Sequence, residues 1–186
     1  QGARPRREGG HGDDADGRRR GRRAGEGARP APLPSITPTY FLDLRLKDAA
    51  GVEVARSFYW LSTKKDVLDP ANSEWFVTPN KAFADLTALA SLPPAEVALE
   101  QRVEEAGGER RVHATLTNRS DGVAFFVELK LVGERSDEPL LPVLWDDNYV
   151  SLLPGERREV AATLPRHVAA HQTPRVVISG FNVAPR

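Results

Sequence analysis

The chain has 186 residues, 40% of them hydrophobic, with 26 basic and 26 acidic side chains and so no formal net charge. That is enough apolar material for one core of ordinary size, and two complete domains would be a squeeze. Cys is absent, which excludes disulfides, thiolate zinc sites and a Cys nucleophile, and no run of about 18 apolar residues is present to cross a membrane as a helix.

Met is also absent and the first residue is Gln1, so the expectation is a piece of a longer translation product. Residues 1–37 form the first segment. Its first 30 residues hold eight Gly and nine Arg against five acids, a local charge of +4 that leaves −4 on the rest. With no apolar side chain larger than Ala over that stretch, nothing offsets the entropy of ordering, and a disordered Arg/Gly-rich leader is expected. The Arg18–Arg20 and Arg22–Arg23 run lacks aromatic partners and lies near Asp13, Asp14 and Asp16, so no nucleic-acid partner is expected. The same 30 residues lack the apolar core of a secretory signal, and the compartment stays open.

From Tyr40 the texture changes. Leu42, Leu44 and Leu46 alternate with Asp43, Arg45 and Lys47, a turn follows at 48–51, and Val52, Val54, Phe58 and Trp60 return. This predicts a β-hairpin within 38–66 that needs further strands to be stable, with those partners expected before residue 31 in the intact protein. Residues 67–95 carry Pro70, Pro79, Pro93 and Pro94 and a short helical pattern over 83–92. They read as a packed connector pinned by Trp75, Phe76 and Phe83.

Residues 96–186 show about seven apolar runs. These are Val97, Leu99 and Val103; Val112, Ala114 and Leu116; Phe125, Val127, Leu129 and Leu131; Leu141, Val143 and Trp145; Tyr149–Leu152; Val160, Ala162 and Leu164; and Val176, Ile178 and Phe181. Turn residues separate them and no helix pattern intervenes. The fold class expected is all-β, an immunoglobulin-like antiparallel β-sandwich preceded by the hairpin, with fibronectin-like and jelly-roll arrangements left open.

Chemistry is sparse. Glycosidases need two converging carboxylates, and the tempting pair is Asp146 and Asp147. Neighbours on a strand point to opposite faces, so these read as a polar bend with Asn148. His113 falls on the polar phase of a strand, and His167 and His171 have helical ligand spacing but no acid nearby. No catalytic residue, metal site or cofactor is therefore expected. The aromatics Tyr59, Trp60, Trp75, Trp145 and Tyr149 are of the kind that stack on sugar rings, although core packing is the commoner use of such groups. Trp145, Asp147, Asn148 and Tyr149 are the candidate binding residues. Asn118-Arg119-Ser120 fits a glycosylation acceptor in a turn.

Five blocks carry a resemblance: FYWLST (58–63), DVLD (66–69), FADLTAL (83–89), LPVLWDDNYVSLLPGE (141–156) and SGFNV (179–183). In that order they resemble the C-terminal end of glycoside hydrolase family 2 enzymes, on the branches of the plant mannosylglycoprotein endo-β-mannosidases and the bacterial exo-β-D-glucosaminidases. The resemblance implies a retaining enzyme acting on β-mannosyl or β-glucosaminyl linkages, with its two catalytic Glu residues in a TIM barrel. No residue here matches those Glu motifs. It implies further that 38–66 closes a preceding immunoglobulin-like domain, that 96–184 is the final one, and that the partners are the barrel and other domains of a parent glycosidase. A freestanding module binding glycan or protein is the alternative, and the chain alone is expected to be inactive.

Overall fold

The structure is a computed structural model that describes residues 36–135, 137–169 and 172–186. The expected leader therefore lies almost wholly outside the described residues.

Two long strands come first, β1 (Thr39–Lys47) and β2 (Glu53–Ser62), paired antiparallel with Phe41 opposite Trp60 and Arg45 opposite Arg56. They form a two-stranded sheet. Because side chains alternate, Phe41, Asp43, Arg56, Phe58 and Trp60 share one face and Leu42, Leu44, Leu46 and Tyr59 the other. The first face meets the sandwich. The second is exposed.

Residues 67–95 contain a short ladder of β3 (Val67–Leu68) and β4 (Asn80–Ala82), with 3-10 turns at Pro70–Asn72 and Thr87–Ser91. The predicted helix over 83–92 is only this second turn, since Pro93 and Pro94 remove the donors a longer helix would need. Among the described residues none of Trp75, Phe76 and Phe83, expected to pin this segment between two domains, is buried. Trp75 is 97% exposed, and Phe76 and Phe83 are exposed as well. Trp75 and Phe76 form the tip of a tight turn closed by reciprocal backbone bonds between Glu74 and Val77, so their side chains have nowhere inward to go.

The remaining seven strands are β5 (Val97–Ala106), β6 (Glu109–Asn118), β7 (Ala124–Gly133), β8 (Leu144–Trp145), β9 (Val150–Leu152), β10 (Arg157–Pro165) and β11 (Pro174–Ser179). They make two antiparallel sheets, ordered β5-β6-β10-β8 and β11-β7-β9. Between the sheets lie Val112, Ala114 and Leu116 of β6, Val127, Leu129 and Leu131 of β7, Val160, Ala162 and Leu164 of β10, and Val176 and Ile178 of β11. The immunoglobulin-like sandwich is thus present, built from the alternation in the sequence. Gly107 and Gly108 both have positive φ, as a two-residue turn between β5 and β6 requires.

One strand departs from the expected phase. In β7, Ala124 pairs with Leu152 but Val127 pairs with Val150, a bulge in which Phe126 has φ 57°. The extra residue puts Ala124 in the core where Phe125 was expected. Phe125 is instead buried outside the core, its ring 5.1 Å from Phe41, 5.4 Å from Trp60 and 5.6 Å from Phe181. This is the apolar seat of the hairpin. Phe181, expected in the last strand, lies past the end of β11 and is exposed.

Candidate functional site

The hairpin and the sandwich enclose a groove of about 210 Å³ lined by Arg56, Phe58 and Trp60 on one side and Asp147, Tyr149 and Arg158 on the other. Its position follows from two attachments. One is the aromatic contact on Phe125, extended by Trp60 against Phe126 at 5.4 Å. The other is ionic. Arg56 donates through Nε to Asp43 at 2.7 Å and through Nη1 to Glu156 at 2.6 Å, while Arg45 reaches the same two carboxylates. Glu156 also accepts from the backbone N–H of Leu153, so the turn between β9 and β10 is locked to the hairpin.

Burial pushes the Asp43 carboxyl up, but hydrogen bonds from Arg56 and then Arg45 outweigh it and hold the group below its ordinary range. A carboxylate with a depressed folded pKa stabilises above its unfolded value and loses that contribution as pH falls through the folded one. Hairpin docking is therefore expected to be intact at neutral pH and to weaken on acidification below about pH 4, where unfolded Asp titrates. Amide shifts of β2 followed by NMR during an acid titration check this, and shifts confined to β6 and β10 would contradict it.

The four candidate residues divide. Trp145 pairs with Ala162 and packs against the core, away from the groove. Asn148 accepts from the Leu129 N–H at 2.8 Å and donates to its C=O at 3.0 Å, so its side chain substitutes for a neighbouring strand and anchors the loop. Asp147 and Tyr149 reach the groove. Asp147 accepts from the Asn148 backbone and pairs with Arg158. Tyr149 has φ 53°, stacks 5.0 Å from Phe126 and donates its hydroxyl to Glu128 at 2.8 Å. That bond holds the Glu128 carboxyl low and the Tyr149 hydroxyl high. The groove also contains Arg56, Phe58 and Arg158, which sequence reading missed. Of these only Phe58 carried a visible signal, its place in the first block of the resemblance.

Asp146 and Asp147 do not converge. Asp146 turns to the Ala161 N–H at 2.8 Å while Asp147 turns to Arg158, as expected of a polar bend. His113 does lie on the outward phase of its strand, yet it is buried, with Nδ1 2.9 Å from Glu159 and Nε2 3.5 Å from Glu104. Arg102 completes this surface cluster and lowers both carboxyls. Of the pair His167 and His171, the second lies outside the described residues. Among the described residues no group of three or more His, Cys, Asp or Glu is placed to hold a metal.

The glycosylation reading of Asn118 is corrected. Its side chain is fully buried, donating to the carbonyls of Gly122, Leu152 and Leu153, so the amide nitrogen a glycan would need is enclosed.

Comparison with known proteins bears on what this architecture serves. Residues 75–183 match the family model described as the exo-beta-D-glucosaminidase Ig-fold domain. The chain is 42% identical over 145 residues to an exo-beta-D-glucosaminidase of Arthroderma benhamiae, covering 77% of this chain and 15% of that protein. It is 40% identical over 153 residues to that of Amycolatopsis orientalis, covering 81% and 15%. The crystal structure of Amycolatopsis orientalis exo-chitosanase CsxA superimposes with a TM-score of 0.77 at 38% identity, over 83% of this chain and 19% of that one. The chain thus spans less than a fifth of the length of these relatives. They are glucosaminidases, and the mannosidase branch of the resemblance has no counterpart among them.

Proposed function

Because the chain belongs to the family of exo-beta-D-glucosaminidase Ig-fold domains, we propose that it is a non-catalytic bracing region of a larger retaining glycosidase acting on β-glucosaminyl linkages. Residues 38–66 are the closing hairpin of a preceding immunoglobulin-like domain, 67–95 a connector, and 96–186 the final sandwich. The partners are the catalytic barrel and the other domains of that enzyme.

The observation that carries this reading is the hairpin. A two-stranded sheet of nine- and ten-residue strands is marginal alone. This one is tied to the sandwich on one face while Leu42, Leu44, Leu46 and Tyr59 stay uncovered on the other. Trp75 and Phe76 add a second uncovered apolar feature. Both suit burial against further domains. A brace needs no catalytic pair, and Asp146 and Asp147 do not form one.

The purified chain is expected to show no turnover of an aryl β-D-glucosaminide. A glucosaminidase relative truncated before the matching region is expected to lose thermal stability and to regain part of it when this chain is added. Turnover by the chain alone would overturn the non-catalytic assignment, and failure of the chain to affect the truncated enzyme would overturn the bracing role. The freestanding-module alternative is favoured at one place, the groove beside Tyr149.

A further inference from the structure

We infer that the groove between β2 and the β8–β9 loop is a binding site for a single neutral pyranose, such as an N-acetylglucosaminyl unit. This inference does not rest on the bracing role. It rests on backbone strain, on exposed aromatic faces and on the charge state of the rim.

Phe126 and Tyr149 both have left-handed backbone, φ 57° and 53°. For bulky residues this conformation is strained, and Gly or Asn would hold the same path more cheaply. The two strained residues are adjacent in space, with rings 5.0 Å apart, and Trp60 stands edge-on to Phe126. The result is that Tyr149, 48% exposed, and Trp60, 40% exposed, present ring surface at the groove instead of burying it. The bulge that turns Phe125 onto the hairpin accounts for the backbone of Phe126, but not for that of Tyr149.

The rim is polar but internally neutralised. Arg158 pairs with Asp147, and Arg56 is held by Asp43 and Glu156. A charged ligand would have to break one of these pairs, whereas hydroxyl and amide groups can bond to their outer edges without separating charge. An apolar floor with a neutral hydrogen-bonding rim complements a pyranose chair, which has an apolar face and an equatorial belt of polar groups. The volume, about 210 Å³, is below the roughly 300–1,000 Å³ of sites for drug-sized ligands, so one ring is held and affinity is weak.

The test is an NMR titration of the full chain with triacetylchitotriose and, separately, with chitotriose, whose free amines make it cationic. The acetylated sugar is expected to shift the amides of Tyr149 and Ser151 and the Trp60 indole, and chitotriose to bind more weakly. Tyr149→Gly removes the ring while relaxing the backbone. It is expected to keep the fold and to weaken sugar binding at least about tenfold, the loss of an anchor worth more than 1.4 kcal/mol. No shifts with either sugar, tighter binding of chitotriose, or binding that survives Tyr149→Gly would each overturn the assignment.

Discussion

Replacing Asn118 with Ala is expected to destabilise the sandwich by about 3 kcal/mol, read as a lowered midpoint in urea unfolding with an unchanged slope. Asn118 is 0% exposed at the end of β6. Its Nδ2 donates to Gly122 O at 2.8 Å, Leu152 O at 3.0 Å and Leu153 O at 3.2 Å, and its Oδ1 accepts from Ser120 N at 3.0 Å. The side chain thus ties the β6–β7 turn to the end of β9, and its own backbone bonds to Gly155 and Glu156 add the β9–β10 turn. Alanine would remove a donor from each carbonyl; Leu153 O keeps the Glu156 N–H, so the loss falls on Gly122 O and the buried Leu152 O, where an unpaired buried group costs about 1–3 kcal/mol. Asn118→Asp is the sharper variant, because it keeps an acceptor for Ser120 while exchanging the donors for a buried carboxylate. It should be worse than Ala at neutral pH and recover in part on mild acidification. A change below about 1 kcal/mol for Ala would mean that water replaces the amide.

The strands of the sandwich were legible because their apolar core residues recur at every second position. Val112 and Ala114 of β6 pair with Ala162 and Val160 of β10 in one sheet, and Val176 and Ile178 repeat the period in the other. What alternation cannot carry is a phase change. The bulge at Phe126 shifts Phe125 by one residue, and the segment Ala124-Phe-Phe-Val reads equally well in either phase until the partner strand is known. The same limit explains the candidate site. Trp145 and Tyr149 are four residues apart, yet β8 and β9 belong to different sheets, so only Tyr149 meets the hairpin. Asn118 read as a glycosylation acceptor because a three-residue pattern says nothing of burial. Arg56 and Glu156 are a hundred positions apart, and nothing local in either segment announces the pair.

That pair carries the other large effect. Arg56→Ala is expected to cost about 2–3 kcal/mol in hairpin docking while leaving the core of the sandwich formed. Arg56 is 8% exposed in its side chain, bridges Asp43 and Glu156, and lies 5.7 Å from the Phe58 ring. Its removal leaves two half-enclosed carboxylates facing each other with only the more exposed Arg45 between them. Breaking a buried pair by deleting one partner is typically a 3–5 kcal/mol loss, reduced here because Arg45 remains and the site is not fully dry. Hydrogen exchange should show β1 and β2 losing protection while β6, β7 and β10 keep theirs. Arg56→Lys should recover only part, since an ammonium cannot span both carboxylates as the planar guanidinium does. Adding Asp43→Asn and Glu156→Gln to Arg56→Ala removes the stranded charges and should return about half the loss, whereas a purely steric role for Arg56 predicts no return. Uniform loss of protection across hairpin and sandwich would instead make the two a single cooperative unit, with the ionic bridge integral to the fold of both.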